Sequence, residues 1–271
     1  RFFWYYAALV MSELSNVVKH KTNPINRCII SEACVMSAMH SPIILALDHE
    51  TDAQVLSFLK PLSPAQCRLK IGKYLFVRYG PNLVKQLIDR GFDVFLDLKF
   101  HDIPHTVRQA CQAAAELGVW MLNVHCQGGD AMLRAAVEGV NNAHTDRRPL
   151  LTGVTALTSL SEHDIASLGY HESIDSLVTR YARMANNAGL DGIVCSAREA
   201  QRLRGLLPAS FALVTPGIRL QSDDCLDQQR VQTPQQAIMN GANYLVIGRP
   251  ITRSVDPMAS LEQYLEALSS L

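Results

Sequence analysis

The chain has 271 residues, 25 basic and 25 acidic, so its formal net charge is zero, and 48% of it is hydrophobic. That length buries a full core and suits one α/β barrel, while the even charge and the lack of a basic run with interleaved aromatics exclude nucleic acid as the expected partner. Its seven cysteines show no CxxC pair and no zinc-ligand spacing, and no stretch approaches the roughly 20 apolar residues of a membrane span. The expectation is a soluble cytoplasmic protein whose thiols are small buried hydrophobes of a reducing compartment.

The first forty residues stand apart. Arg1 opens a short aromatic-rich apolar run over residues 2–10, followed by a mixed polar stretch without clear periodicity. A signal peptide is one reading, but the run is short and no small-residue cleavage site follows it. The preferred reading is an appended or upstream-translated extension, 1–40, with the functional chain starting near Met36 or Met39 and a barrel domain over 41–271.

From Pro42 onward, short apolar runs alternate with amphipathic helix-length segments. The first predicted strand, 43–47, ends in Asp48 and leads to a helix over 53–60. The second, 68–71, carries Lys70 and precedes a helix over 81–90. The third, 94–98, contains Asp97 and runs on through Lys99 to Asp102, ahead of a helix over 104–117. Alternation along a strand puts Asp97 and Lys99 on one side and Leu96 and Leu98 on the other. Strand 120–125 leads to helix 131–141. Strand 150–155 leads through Leu157-Thr158-Ser159 to helix 173–188, and strand 192–195 to helix 197–206. Strand 212–215 opens Thr215-Pro216-Gly217-Ile218-Arg219 and a long polar segment, 220–232, that reads as a lid before helix 234–240. The eighth strand, 244–247, ends in Gly248-Arg249-Pro250, and a helix over 256–269 closes the chain.

Eight strand–helix units specify a closed (β/α)8 TIM barrel rather than an open doubly wound sheet. The turn after the first strand, Asp48-His49-Glu50, lacks the glycines of a dinucleotide fingerprint, and no Walker motif is present. Barrel active sites lie at the C-terminal strand ends. Charges collect there: Asp48, Lys70, Asp97, Lys99 and Asp102. A buried Asp97–Lys99 ion pair with Asp102 capping the next helix is the bland account, and capping is a serious rival for Asp102 alone. For all five together it is an expensive way to gain stability, so a functional array is favoured. Gly248 permits close backbone approach and Arg249 supplies a cationic fork, a phosphate site at the place where barrels commonly hold one. The hydroxyls after strand five suit a heterocycle edge or merely a helix start. Metal readings fail: His101 and His105 flank Pro104 without an HExxH pattern, and His125 is isolated.

These residues carry a resemblance. The run Phe95-Leu-Asp-Leu-Lys-Phe-His-Asp-Ile-Pro104, with Ala46-Leu-Asp48, Arg68-Leu-Lys70, Leu157-Thr-Ser159, Thr215-Pro-Gly-Ile-Arg219 and Ile247-Gly-Arg-Pro250, resembles the bacterial-type orotidine 5′-monophosphate decarboxylases from about Pro42 to the C-terminus. The resemblance implies a homodimer with no metal or organic cofactor, acting on a nucleotide in pyrimidine synthesis. It implies Lys99 as the catalytic lysine, flanked by Asp97 and by Asp102 from the other subunit. Asp48 and Lys70 would hold ribose hydroxyls, with Thr106 reaching across from the partner. Thr158 would meet the pyrimidine, and Gln228, Gly248 and Arg249 the phosphate, with Arg219 nearby on the lid. The rivals are an Mg²⁺-dependent barrel acting on sugar phosphates and a non-catalytic nucleotide-binding barrel. The Thr158 region argues against the first and the intact charge array against the second.

Overall fold

The computed structural model describes residues 41–49, 51–221, 223 and 231–271. All eight apolar runs are parallel strands: β1 (Ile43–Leu47), β2 (Arg68–Gly72), β3 (Val94–Phe100), β4 (Met121–His125), β5 (Leu150–Val154), β6 (Gly192–Val194), β7 (Ala212–Pro216) and β8 (Tyr244–Ile247). Each pairs with the next, and β8 pairs back onto β1, so the sheet is closed. A parallel strand covered on both faces needs an unbroken apolar run, and all five residues of β1 are buried. Outside lie α1 (Asp52–Phe58), α2 (Lys73–Ile88), α3 (Pro104–Glu116), α4 (Gly129–Asn141), α5 (Glu162–Ser167), α6 (Ile174–Ala188), α7 (Ala197–Arg204), α8 (Pro234–Met239), α9 (Arg249–Thr252) and α10 (Pro257–Ser269).

Two cores follow from this arrangement. The larger fills the space between strands and helices. On α6, Ile174, Leu177, Val178, Tyr181 and Ala185 recur at helical spacing and all are buried. Each large aliphatic side chain so placed stabilises the fold by about 1.5–3 kcal/mol. The smaller core lies inside the barrel: Ile44, Ala46, Phe95, Trp120, Met121, Val214 and Val246. Beneath it, at the N-terminal strand ends, the Arg68 guanidinium lies 4.5 Å from the Trp120 ring centre and 5.2 Å from that of Tyr244. Asp93 pairs with the same group at 3.2 Å. This plug closes the floor, so the polar side chains collect at the opposite mouth.

Helix starts are set by local chemistry. Thr51 with Gln54 and Ser196 with Glu199 form reciprocal capping boxes, and Asp256 accepts from the Ala259 N–H. Each such cap contributes about 1 kcal/mol. Ser161 and Asp164 likewise start α5, a short helix that sequence periodicity does not reveal. Helix α2 begins eight residues ahead of the expected Pro81. Gly80, at φ 59° and ψ −156°, breaks it, and Pro81 starts the second half. The first half buries Leu75 but leaves Tyr74 and Val77 exposed, so its apolar residues are not confined to the core-facing side. The C-terminal helix α10 also anchors the segment after β7: the Leu220 N–H donates to Tyr264 Oη at 3.3 Å and to Asp223 Oδ2 at 2.8 Å, and the Tyr264 hydroxyl donates to the same carboxylate.

Candidate active site

At the C-terminal mouth a cavity of about 250 Å³ opens, lined by side chains from β1, β2, β3 and the loops after β5, β7 and β8. Its floor is the inner core, through Ala46, Phe95 and Val246. Its centre is Asp97, 9% exposed. One carboxylate oxygen stands 3.0 Å from Lys70 Nζ; the other accepts from Lys99 Nζ at 2.6 Å and from Asn123 Nδ2 at 2.7 Å. Burial alone would raise its pKa, but the two ammoniums and the hydrogen bonds from Lys99 and Asn123 outweigh that and hold it far below the usual carboxylate range. Asp97 is therefore a fixed negative charge between two positive ones.

Simple alternation does not produce this geometry. β3 pairs with β4 through Leu96–Leu122 and resumes at Phe100–Val124, so three residues of β3 oppose Asn123 alone. Within that bulge Lys99 takes φ 54°, the one positive value among the described non-glycine residues. A conformation of this kind costs on the order of 1–3 kcal/mol, and bulges of this kind re-aim side chains beside sites. The Lys99 N–H, lost to the ladder, donates instead to Asn123 Oδ1 at 2.8 Å.

The far wall is cationic. Arg219 is 6% exposed; its Nη1 donates to the Ile218 carbonyl at 2.8 Å, while its buried Nε has no partner among the described residues. An orphan guanidinium donor beside a cavity suits an anion. Arg249, Gly217 and Gly248 complete that wall. A Cβ on Gly248 would lie 3.2 Å from Asp48 Oδ2, so glycine is what lets the β8 loop come this close to the carboxylate of β1. Among the described residues the charged lining is four cations (Lys70, Lys99, Arg219, Arg249) against two anions (Asp48, Asp97), a surplus of two positive charges.

Of the expected site residues, Asp48, Lys70, Asp97, Lys99, Thr158, Arg219, Gly248 and Arg249 line this one cavity. Asp102 and Thr106 do not; both are exposed, Asp102 on the segment joining β3 to α3 and Thr106 in the first turn of α3. Asp102 accepts from the Ile103 N–H at 2.7 Å, and Ile103 is itself the residue that caps α3. The rival capping role is thus not what Asp102 does. Gln228 lies outside the described residues. His125 is half-buried; burial, then the His101, Lys99 and Lys73 charges, push its pKa down to about 4, and its ring lies 5.6 Å from that of His101. Among the described residues no cluster of three or more His, Cys, Asp or Glu side chains is placed to hold a metal ion. Sequence reasoning overlooked Asn123, whose one signal was a polar side chain inside the apolar run of β4.

Fold and cavity together define a (β/α)8-barrel enzyme with an anion-seeking mouth. The family model described as "Orotidine 5′-phosphate decarboxylase / HUMPS family" matches residues 41–264. The chain belongs to this family. It is 56% identical over 221 residues to an orotidine 5′-phosphate decarboxylase of Laribacter hongkongensis, covering 82% of this chain and 90% of that one. It is 52% identical over 231 residues to one from Nitrosococcus oceani, covering 85% and 99%. Among solved structures, orotidine 5′-phosphate decarboxylase from Lactobacillus acidophilus superposes with a TM-score of 0.75 at 34% identity, covering 83% of this chain and 97% of that one. The expected family and fold are both borne out.

Proposed function

We propose that this enzyme removes CO₂ from C6 of orotidine 5′-monophosphate, giving uridine 5′-monophosphate in pyrimidine synthesis, with Lys99 stabilising and then protonating the C6 carbanion. The observation that carries the reading is the cavity itself: a cationic pocket with one fixed carboxylate held between two ammoniums, suited to a substrate that bears both a phosphate and a carboxylate.

Loss of CO₂ from this carbon leaves a vinyl-type carbanion with no π system to spread it. A carboxylate such as Asp97 about 4 Å from the substrate carboxylate would repel it by roughly 4 kcal/mol at an effective dielectric near 20. Full relief of that repulsion is worth about three powers of ten in rate. Enzymes commonly supply about 8 kcal/mol or more, so repulsion is not the whole account. The larger share falls to the Lys99 ammonium, preorganised against the developing charge, which then delivers its proton to C6. In this reading Asp48 and Lys70 hold ribose hydroxyls and Thr158 meets the pyrimidine. Gly248, Arg249, Arg219 and Gln228 hold the phosphate, whose binding energy closes the segment after β7 and excludes water. No step calls for a metal or organic cofactor.

The second half of the reading is a cytoplasmic homodimer in which Asp102 and Thr106 complete the partner's cavity. It is supported by their exposure beside Ile103, and by exposed Tyr74 and Val77 on the adjoining α2, apolar surface that a second copy would cover. Residues 1–40 lie outside the family match, and the proposal gives them no part in the chemistry.

The deciding experiment is the ultraviolet absorbance change on mixing purified protein with orotidine 5′-monophosphate, with and without a chelator. Conversion to uridine 5′-monophosphate at equal rates in both arms is expected. No conversion, or conversion abolished by the chelator, refutes the proposal.

A further inference from the structure

Strand β4 carries a single amide among apolar neighbours. Asn123 is fully buried, and both ends of its side chain are engaged by the segment of β3 that holds the reacting groups. Asp97 as a carboxylate can only accept, and the Lys99 backbone N–H can only donate. A side chain between them must therefore offer one donor and one acceptor on neighbouring atoms, which asparagine does and no apolar or acidic residue of its size does. The register explains why such a residue is needed there. Three residues of β3 oppose Asn123 alone, so the ladder cannot satisfy Lys99, and the amide takes the place of the missing backbone partner.

We infer that Asn123 is a positioning residue for the decarboxylation: it holds the Lys99 backbone in the left-handed conformation that brings Nζ onto Asp97, and it fixes the Asp97 carboxylate between its two ammoniums. The inference rests on the proposed role of Lys99. It differs from a plain core role, because Asn123 is not among the residues lining the cavity and acts on turnover only through the two residues it grips. A neighbour that merely filled space would change stability and leave kcat alone.

The test compares Asn123→Ala, Asn123→Asp and Lys99→Ala in the full chain. The readouts are kcat and KM for orotidine 5′-monophosphate, the Kd for uridine 5′-monophosphate, the melting temperature and the pH profile of kcat. Asn123→Ala is expected to lower kcat by about 100-fold, the loss that a misplacement of about 1 Å produces, while product affinity stays native. Asn123→Asp fills the same space and keeps an oxygen for the Lys99 N–H, but sets a carboxylate against Asp97. Lys70 on β2, Lys99 on β3 and His125 on its own strand are the other ionisable groups around it. Its kcat is expected to fall at neutral pH and to recover, relative to the native profile, as acidification gives the pair a shared proton and restores the donor. A folded Asn123→Ala with native kcat overturns the inference. Should that variant not fold, Asn123→Asp decides alone, and native kcat with a native pH profile overturns it. Lys99→Ala separates the levels: if it turns over, the proposed role of Lys99 fails; if it is inactive while Asn123→Ala is native, only this inference falls.

Discussion

Replacing Asp97 by asparagine keeps the shape of the side chain and removes the charge that Lys70 and Lys99 share. At 3.0 and 2.6 Å, each contact carries a gross Coulomb attraction of about 6 kcal/mol at an effective dielectric near 20. Desolvation offsets most of that. What remains is the cost of leaving two cations uncompensated, about 3–5 kcal/mol for a buried group. The Lys99 side chain is 25% exposed and water reaches it, so the low end, about 3 kcal/mol, is expected. For a barrel of this size that lowers the melting temperature by about 6–12 °C near neutral pH. The pH dependence has a definite sign. The Asp97 carboxyl is held below its ordinary value in the folded protein, so its contribution is fully present above the unfolded value of about 3.9 and is lost as pH falls through the folded one. Thermal melts of native and Asp97→Asn protein, followed by circular dichroism from about pH 7 to about pH 3, should therefore show a gap that is constant near neutrality and narrows in acid. A variant that melts with or above the native protein near neutrality, or a gap that does not narrow, would refute the reasoning.

Arg249→Ala should lower kcat/KM for orotidine 5′-monophosphate by about 10- to 100-fold, the worth of a charge-assisted phosphate contact. The nucleoside orotidine, which lacks the phosphate, should react equally with both proteins; an equal loss on both substrates rules out the phosphate role. Asp102→Asn and Lys99→Ala homodimers should each be inactive, yet mixing them and allowing exchange should restore about one quarter of native activity, since each mixed dimer has one intact site. No recovery despite demonstrated exchange would place Asp102 in its own subunit's chemistry, and an active Asp102→Asn homodimer would give it no part at all. A protein of residues 41–271 alone should match the full chain in kcat and KM, and a loss of turnover would give residues 1–40 a part in the site.

Much of this was legible in the chain because parallel barrels write themselves in apolar runs. Ile43 to Leu47 and Tyr244 to Ile247 appear as strands in the sequence and stand as strands in the fold. The charges at their ends then had one mouth to gather around. What the sequence hid depends on non-local geometry. The pairing of Asp97 with Lys99 was expected from alternation, but it is made by a bulge opposite Asn123, and a bulge is set by how two strands register against each other. The first half of α2 was missed because its apolar residues are spread around the helix: Leu75 is buried, while Tyr74 and Val77 face outward. Arg219 was read as a neighbour of the phosphate site, whereas its buried Nε, without a partner among the described residues and visible in the fold alone, makes it the strongest sign of an anion in the cavity wall.

Among the described residues, the plug formed by Arg68, Trp120 and Tyr244 turns the barrel into a well that opens at the cavity mouth. In the proposed reaction, carbon dioxide released above Phe95 and Val246 meets packed side chains below it, so it would leave by the opening through which the nucleotide entered. Traffic, not only chemistry, is then shared at the mouth. On the proposed roles of Arg219 and Arg249, the gas passes a nucleotide whose phosphate they hold, or waits until that nucleotide departs. Anything that rests across the rim shuts the entrance and the exit together.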